Sequence, residues 1–318
     1  MQPPRRAIRI RRKEKPPRVL LGCNAGNMYI HQKKVRLLLK CFLPAPPLRA
    51  YVRSMGIVHF VFEKDKVIPA KPYAPRPETS LYFFPRDPEN IVYPGNDVKI
   101  KRASACVYGQ HTMMNKRLVG HDFLALIVHL QPGVLHRLTG IPLNELTNTD
   151  LDAELVLTKD VKFVNEKLNE CHSYEDMLSV VECFLTALIR QVKKEAHRVD
   201  QAMQYILGHA GRVSIDWLAK ETCLCGKQFE RKFRERMGAG ASTLSRINRF
   251  NNTVKIKNAT PELDWLSIGL QCGYYDYQHL VRDYKEFTGL TPTAYFALDA
   301  TAPERALGMC EESRLYTK

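Results

Sequence analysis

The chain has 318 residues, of which 45% are hydrophobic, so it is long enough for two domains with separate cores and is not generally disordered. It lacks a run of 18 apolar residues, which argues against a transmembrane helix and a membrane partner. The net charge of +15 is unevenly distributed, because residues 1–40 hold 12 Lys or Arg and one acidic residue, Glu14. The overall basicity therefore says little about the rest of the chain.

The first 40 residues form a basic extension punctuated by proline, which we expect to be disordered. It lacks the apolar core of a signal peptide. Three interpretations remain open: a flexible phosphate-binding arm, an organelle transit sequence, and a misassigned translation start. The absence of serine before Met28 weakens the second interpretation. The ordinary sequence after Met28 favours a true start near that residue.

Residues 41–190 are predicted to form a sensing or dimerisation domain that begins with strands. Short β-branched and aromatic runs alternate with clusters of Gly, Pro and Asn, which is typical of an antiparallel sheet or small barrel. The runs are "MGIVHFVF", "TSLYFFP", "SACVYGQH" and "FLALIVHL".

The pattern changes to helices after Pro132. "VLHRLTGIPLNELTN" predicts a short helix and a turn, and "KDVKFVNEKLNE" predicts a second helix. In "YEDMLSVVECFLTALIRQV" apolar residues recur at steps of three and four, which indicates an amphipathic helix. We expect its apolar face to pack in the core rather than in a dimer interface. The charged residues 191–200 are predicted to be a linker.

The nine cysteines and the histidines give little sign of a metal site. Cys223 and Cys225 are the closest cysteine pair, but they have no partner pair at a zinc-site spacing. An odd cysteine count without a secretory signal is typical of the reducing cytoplasm. Four histidines could suggest a metal-binding barrel, but the pattern predicts no facing carboxylate at a tight spacing: His111, His121, His129 and His136. We predict no metal and no cofactor.

Two segments of the last third share one pattern. "FERKFRERMG" at 229–238 aligns with "LVRDYKEFTG" at 280–289, a shift of 51 residues. An apolar-small pair precedes each segment, Leu218-Ala219 in one and Ile268-Gly269 in the other. A short helix, a tight turn and a second helix at this spacing predict two helix-turn-helix units.

The second helix of each predicted unit has one apolar and one polar face. At 100° per residue, Lys227, Arg231 and Arg234 fall within about 60° of one another on the helix. Phe229 and Phe233 lie on the opposite side. Gln278, Arg282 and Lys285 share the corresponding face of the other helix. Arg and Lys suit guanine edges and phosphates, and Gln suits adenine. Residues 225–257 hold nine Lys or Arg and two acidic residues, which favours an anionic partner.

The stretch "IGLQCGYYDYQHLVRDYKEFTGLTPTAYF" resembles the DNA-binding domain of the AraC/XylS family of transcription regulators. The similarity covers about residues 200–297 and is looser in its first half. There Cys223 stands in place of the turn glycine and Cys225 in place of the capping serine. Gly240-Ala241 replaces the usual Ser-Pro. Cysteine is a poor N-cap, so we expect the second helix of the first unit to be less stable than its counterpart in the second unit.

The resemblance implies a set of DNA contacts, which we combine with the two helix faces. The expected DNA-binding residues are Lys227, Gln228, Arg231, Arg234, Tyr277, Gln278, His279, Arg282 and Lys285. Glu230 also falls at a family contact position, but its carboxylate would either accept from cytosine or repel phosphate. The partners implied are double-stranded DNA, RNA polymerase, a small-molecule effector of unknown identity and a second copy of the chain.

The predicted fold is an α+β chain of two domains. The N-terminal domain is β-rich and barrel-like with helices, and the C-terminal domain, residues 201–300, is all-α with two helix-turn-helix units, followed by a tail at 301–318. The predicted function is sequence-specific regulation of transcription without enzyme activity. Two alternatives stay open: a sensor whose DNA-binding domain has degenerated, and a methyl-transfer repair enzyme. The second would need a reactive cysteine in a characteristic metal or Pro-Cys-His-Arg setting, and no cysteine of this sequence has those neighbours.

Overall fold

The computed structural model describes residues 36–96, 98–306 and 316–317. The predicted basic extension therefore lies outside the described residues except at positions 36–40, and the expected start near Met28 lies outside them as well. Within the described ranges, most strands precede the helices along the chain. No helix of these ranges is both long and apolar enough to cross a membrane.

Strands are the main regular structure in the described residues before 131. The four apolar runs from which strands were predicted overlap β2, β4, β7 and β9, so that prediction is confirmed. The strands are β1 (Arg36–Phe42), β2 (Val52–Val61), β3 (Lys71–Tyr73), β4 (Ser80–Phe83), β5 (Asn90–Val92), β6 (Ile100–Lys101), β7 (Ala105–Tyr108), β8 (Asn115–Leu118), β9 (Asp122–Leu130), β10 (Asp150–Asp152) and β11 (Tyr316–Thr317).

The strands form a larger and a smaller sheet. In the larger sheet the order is β10-β7-β4-β9-β2-β1-β11, and in the smaller it is β3-β8-β5-β6. Neighbouring strands pair antiparallel, except that β11 pairs parallel to β1. Such a two-sheet arrangement of mainly antiparallel strands is the barrel-like architecture that the sequence predicts.

Strand β9 is apolar along its whole length because both of its faces are buried. Leu124, Leu126 and Val128 point into a core on one face of the larger sheet. The alternate residues Phe123, Ala125 and Ile127 point into a second, aromatic core on the other face. A strand side chain alternates between faces with a period of two, so a continuous apolar run is what burial on both faces requires.

Helices cover the first of these cores. They are α1 (Val134–Thr139), α2 (Ala153–Val156), α3 (Val161–Glu170) and α4 (Tyr174–Ile189), with 3₁₀ turns at Pro46–Leu48 and Leu143–Leu146. In α4 the side chains of Met177, Val181 and Leu185 are buried in this core. The expectation that the apolar face of α4 packs in the core is confirmed.

Residues 198–306 are mainly helical, as predicted for the C-terminal domain. The helices are α5 (Arg198–Gly208), α6 (Ile215–Glu221), α7 (Gly226–Met237), α8 (Ala241–Ala259), α9 (Trp265–Gln271), α10 (Tyr277–Thr288), α11 (Pro292–Asp299) and α12 (Pro303–Ala306). Phe250 at the middle of α8 contacts Tyr284, Phe287 and Tyr295 edge-on, which joins α8, α10 and α11 in one core. Helix α5 begins at Arg198, inside the predicted linker; the exact domain bounds stay a prediction.

The N-terminal domain contacts the second helix of each predicted helix-turn-helix unit, α7 and α10, at its C-terminal end. The hydroxyl of Thr147 donates to the carbonyl of Gly238, which follows α7. The backbone N–H of Met114 donates to the carbonyl of Phe287 in α10, at 2.7 Å. These two hydrogen bonds hold the C-terminal ends of α7 and α10 against the N-terminal domain.

The four histidines singled out in the sequence each bond to a different group. His111 contacts Asp150, His121 the carbonyl of Lys66, His129 the hydroxyl of Ser80, and His136 the carbonyl of Ile141. Among the described residues, no group of three or more metal-ligating side chains comes together.

Candidate nucleic-acid interface

The turns of the two helix-turn-helix units have the same backbone geometry. Cys223 has φ +59° and Gly273 has φ +82°, both in the left-handed region. In each unit the next residue donates its backbone N–H across the turn: Leu224 to the carbonyl of Ala219 at 3.1 Å, and Tyr274 to that of Gly269 at 2.9 Å. Cys223 therefore keeps the turn that glycine makes in the second unit, at the steric cost of a Cβ.

The two units differ by one residue between the turn and the second helix. Leu224 is followed directly by Cys225, the N-cap of α7, whereas Tyr275 stands between Tyr274 and the N-cap of α10. Tyr275 is 86% exposed. This single inserted residue explains why the shift between the units is 50 residues before the turn and 51 after it.

The two second helices end in the same way and begin differently. Gly238 with φ +87° and Gly289 with φ +75° close α7 and α10. At the start of α10, Asp276 Oδ1 accepts from the backbone N–H of His279 at 2.8 Å. At the start of α7, Gln228 Oε1 accepts from the backbone N–H of Cys225 at 3.4 Å. A hydrogen-bonded carboxylate is the stronger cap of the two.

Hydrogen bonding and charge both act on the Asp276 carboxylate. The backbone N–H of His279 lowers the pKa of Asp276, and the imidazole of His279, 2.8 Å away, lowers it further. Asp276 is therefore an anion at the positive end of the α10 dipole. His279 stays next to it at the start of the helix, where its ring also contacts Tyr275 edge-on.

The predicted core positions of both helices are buried. The ring centroids of Phe229 and Phe233 of α7 are 5.5 Å apart. Tyr284 of α10 packs against Phe250, and its hydroxyl lies 2.9 Å from that of Thr253. Tyr274 is buried too, and its hydroxyl donates to Asp283 at 3.0 Å. The opposite faces of α7 and α10 are consequently turned away from the core.

All nine predicted DNA-binding residues are exposed on these opposite faces. With the shift of 51 residues they correspond in pairs: Lys227 with Gln278, Gln228 with His279, Arg231 with Arg282, and Arg234 with Lys285. Tyr277 corresponds to Gly226, so only α10 carries an aromatic side chain at its first position. Whether these residues contact DNA stays a prediction.

The exposed faces of α7 and α10 carry some side chains that already make hydrogen bonds or ion pairs within the protein. Gln228 and His279 bond to the caps of their own helices, and Arg234 pairs with Glu230 at 2.7 Å. Within the described residues, no ion pair involves any of the four remaining arginines and lysines of the two faces: Lys227, Arg231, Arg282 and Lys285. These cations are available to an anionic partner.

Glu230 has a structural role that the sequence did not reveal. Its Oε1 accepts from Arg234, and its Oε2 lies 3.4 Å from the backbone N of Ala241, at the start of α8. Gly240 at the N-cap of α8 offers no side chain for that position. A Cβ there would come within 2.4 Å of the Glu230 carboxylate. The carboxylate thus replaces the missing cap where the family pattern has Ser-Pro.

Several cations of the basic segment 225–257 are used inside the domain. Arg236 makes two 2.6 Å bonds to the buried carboxylate of Asp200. Arg246 bonds to Asp283 and Glu286 on α10, and Lys257 bonds to the carbonyls of Pro261 and Leu263. The density of basic residues in the sequence therefore overstates the positive charge that this segment presents to a partner.

Comparisons with known proteins agree with this geometry. Residues 256–297 match the family of bacterial regulatory helix-turn-helix proteins, AraC family. Residues 40–152 match a domain of unknown function, DUF6597. The second helix-turn-helix unit thus matches the AraC family, and a separate N-terminal domain precedes it. No curated protein matches the chain in sequence.

The matches among solved structures are distant. ToxT from Vibrio cholerae is 11% identical with a TM-score of 0.41, over 77% of this chain and 97% of ToxT. An unsaturated fatty acid-bound ToxT from the same species gives 11% and 0.40, over 84% and 96%. The AraC-like transcriptional activator CuxR gives 14% and 0.27, over 72% and 87%.

Proposed function

We propose that this protein regulates transcription by binding specific DNA sequences with α7 and α10 in two successive major grooves. One observation carries the proposal: the two units repeat the same turn, closing glycine and buried positions, and each leaves the same face of its second helix exposed. The grooves along one side of B-DNA are ~34 Å apart, which is the repeat that two such helices in tandem can follow.

The two reading helices are expected to contribute unequally. α10 has a carboxylate cap, an aromatic residue at its start, and Arg282 and Lys285 on its exposed face. α7 has a weaker cap and an Arg234 that is already paired with Glu230. We infer that α10 supplies most of the sequence preference, and that Lys227 and Arg231 of α7 supply phosphate contacts and a smaller preference.

The N-terminal domain is proposed to bias DNA binding through an effector. Its contacts with the ends of α7 and α10 support this role, because a shift of the N-terminal domain would be transmitted to both helices. RNA polymerase and a second copy of this chain are further proposed partners.

The alternative of a degenerate DNA-binding domain was motivated by Cys223, Cys225 and Glu230. Cys223 adopts the backbone conformation of the corresponding glycine, Gln228 bonds to the backbone of Cys225, and Glu230 caps α8. The altered caps at Cys225 and Gly240 therefore have local substitutes in the fold, and Cys223 keeps the turn at a steric cost. These compensations favour a functional first unit over a degenerate one.

Selection of binding sites from random DNA tests the proposal. We expect the wild-type chain to enrich one sequence, and Arg282→Ala to weaken binding to that sequence by ~1–3 kcal/mol if the contact is to a base. Lys162→Ala is the matched control, because it removes one exposed cation from α3 in the other domain. It should leave the enriched sequence unchanged. Enrichment of no sequence by the wild type would contradict the regulator proposal.

A further inference from the structure

The second helix of each helix-turn-helix unit forms an ion pair with the helix that precedes the unit. In the first unit, Arg236 of α7 bonds to the buried Asp200 of α5. In the second unit, Arg246 of α8 bonds to one carboxylate oxygen of Asp283 in α10, at 3.0 Å from Nε and 2.7 Å from Nη2. The two pairs have opposite polarity, so they are not copies of one sequence motif. What they share is the connection that they make.

Arg246 contacts two successive turns of α10. Besides its bonds to Asp283, its Nη1 donates to Oε1 of Glu286 at 2.9 Å. The Cζ atom of Arg246 lies 5.2 Å from the ring centroid of Phe287. Asp283 is 4% exposed, and its second carboxylate oxygen accepts from the hydroxyl of Tyr274 at 3.0 Å. Arg246 thus joins α8 to the turn of the second unit as well as to α10.

The core between α8 and α10 is built mainly from aromatic rings. Phe250, one turn after Arg246 on α8, packs edge-on against Tyr284 and Phe287. Burial of apolar surface is not directional, and helix crossing angles that side-chain packing sets scatter by about 15–20°. A guanidinium that bonds to two carboxylates has a defined direction. The ion pairs of Arg246 therefore define the crossing angle more narrowly than the apolar core does.

The residues that Arg246 binds lie next to residues proposed to contact DNA. Asp283 follows Arg282, and Glu286 follows Lys285. Helix α10 has 12 residues and is about 18 Å long, so a change of about 20° in its crossing angle moves each end by about 3 Å. A hydrogen bond to a base edge tolerates only a few tenths of an ångström. The ion pairs of Arg246 therefore act on DNA contacts without a contact of their own.

From these contacts we infer that Arg246 is a positioning residue. Its ion pairs with Asp283 and Glu286 fix the orientation of α10 on α8, and thereby the spacing between the two DNA half-sites that the protein accepts. The start of α8 is connected to α7, because Glu230 Oε2 lies 3.4 Å from the backbone N of Ala241. The angle between α8 and α10 is consequently also an angle between α7 and α10. The inference rests on the proposed function and names the residue that determines half-site spacing.

The test varies the number of base pairs between the two half-sites. Selection from random DNA with the full chain gives the preferred sequence, and a second library adds or removes base pairs between its halves. One added base pair turns the second half-site by about 34° and moves it by about 3.4 Å. We expect the wild type to favour one spacing over its neighbours by at least roughly tenfold, the effect of one poorly fitted base pair.

Arg246→Met should reduce this preference to about threefold or less, because the crossing angle is then set by packing alone. Its affinity for a single half-site should stay within about twofold of the wild type, since no base contact is lost. Thr253→Val is the matched control: it removes a polar contact between the same two helices, the 2.9 Å contact with the hydroxyl of Tyr284, and keeps the ion pairs. It should lower the melting temperature and keep the spacing preference.

A second variant keeps the test decisive if Arg246→Met fails to fold. Glu286 is half exposed, and Glu286→Gln should give an intermediate loss of spacing preference. An unchanged spacing preference in these variants would overturn the inference, and so would an equal loss in Thr253→Val. Weaker binding to a single half-site at an unchanged spacing preference would overturn it too, because Arg246 would then contact DNA itself. Each of these results leaves the proposed function standing, whereas enrichment of no sequence by the wild type would contradict both.

Discussion

At the scale of single residues, the backbone of the two turns explains a difference between the units. Cys223 and Gly273 share a left-handed conformation that disfavours any side chain. The cost for a residue with a Cβ is about 1 kcal/mol. The side chain of Cys223 does contact Arg198, 2.8 Å from Sγ to Nη1, so its own interaction must be separated from the backbone effect.

We therefore predict that Cys223→Gly is more stable than Cys223→Ala by about 1 kcal/mol. Both variants lose the thiol, and only the alanine variant keeps a Cβ. Gly273→Ala should lose stability by a similar amount, roughly 1–2 kcal/mol. Urea denaturation of the four proteins measures these differences. Equal stability of the two Cys223 variants would show that the turn carries no such strain.

Asp276 gives a prediction for the pH dependence of stability. Its pKa is lowered in the folded protein by the backbone N–H and the ring of His279. It thus contributes stability above its unfolded pKa of roughly 4, and that stability is lost as the pH falls through the lower folded value. Asp276→Asn keeps an N-cap and removes the titration. The difference in melting temperature between wild type and variant should therefore shrink between pH 5 and pH 2, as measured by calorimetry.

At the scale of elements, α7 is held to α5 by a buried ion pair. Arg236 and Asp200 are both under 10% exposed and make two 2.6 Å bonds. Removing one partner leaves the other charge buried and alone, which is more costly than the loss of any surface pair. The same helix carries Arg231 on its exposed face, which provides an internal comparison.

Arg236→Ala is expected to lower the free energy of unfolding by roughly 3–5 kcal/mol. Arg231→Ala, the same substitution on the exposed face, should change it by less than about 0.5 kcal/mol. Chemical denaturation measures stability, and DNA-binding assays at a temperature where both variants are folded measure function. The two effects should be opposite in rank: Arg231→Ala is the one that weakens DNA binding.

Much of this organisation follows from sequence periodicity. The apolar runs that overlap β2, β4, β7 and β9 are local patterns that burial requires. The apolar face of α4 and the repeat of α7 and α10 are local patterns of the same kind. Long-range pairings are not local. The bond of Arg236 to Asp200 and the cap that Glu230 provides for α8 depend on contacts across 11 or more residues that no spacing rule encodes.

At the scale of the whole molecule, the N-terminal domain contacts the C-terminal ends of both reading helices. Gly238 lies against it so closely that a Cβ would come within 2.9 Å of Gln110 and 3.2 Å of the carbonyl of Leu143. Its φ of +87° adds to the cost of any side chain. This contact couples the stability of the two domains.

We expect Gly238→Ala to lower the melting temperature and to loosen the contact between domains. Gly289→Ala is the matched control, because Gly289 closes α10 with φ +75° and a Cβ added there would meet no atom of the described residues within 4 Å. Both variants carry the backbone penalty of roughly 1–2 kcal/mol, and only the first also has the steric contact. Hydrogen exchange of residues 143–147 should increase in Gly238→Ala alone.

Reading of two neighbouring major grooves by α7 and α10 is the property on which the proposed function depends. Selection from random DNA with the wild type, Arg231→Ala and Arg282→Ala, resolved to single base pairs, tests it most directly. We predict that each variant loses preference at its own positions and that the two sets lie about 10 base pairs apart. Loss at the same positions in both variants, or no loss in either, would contradict it.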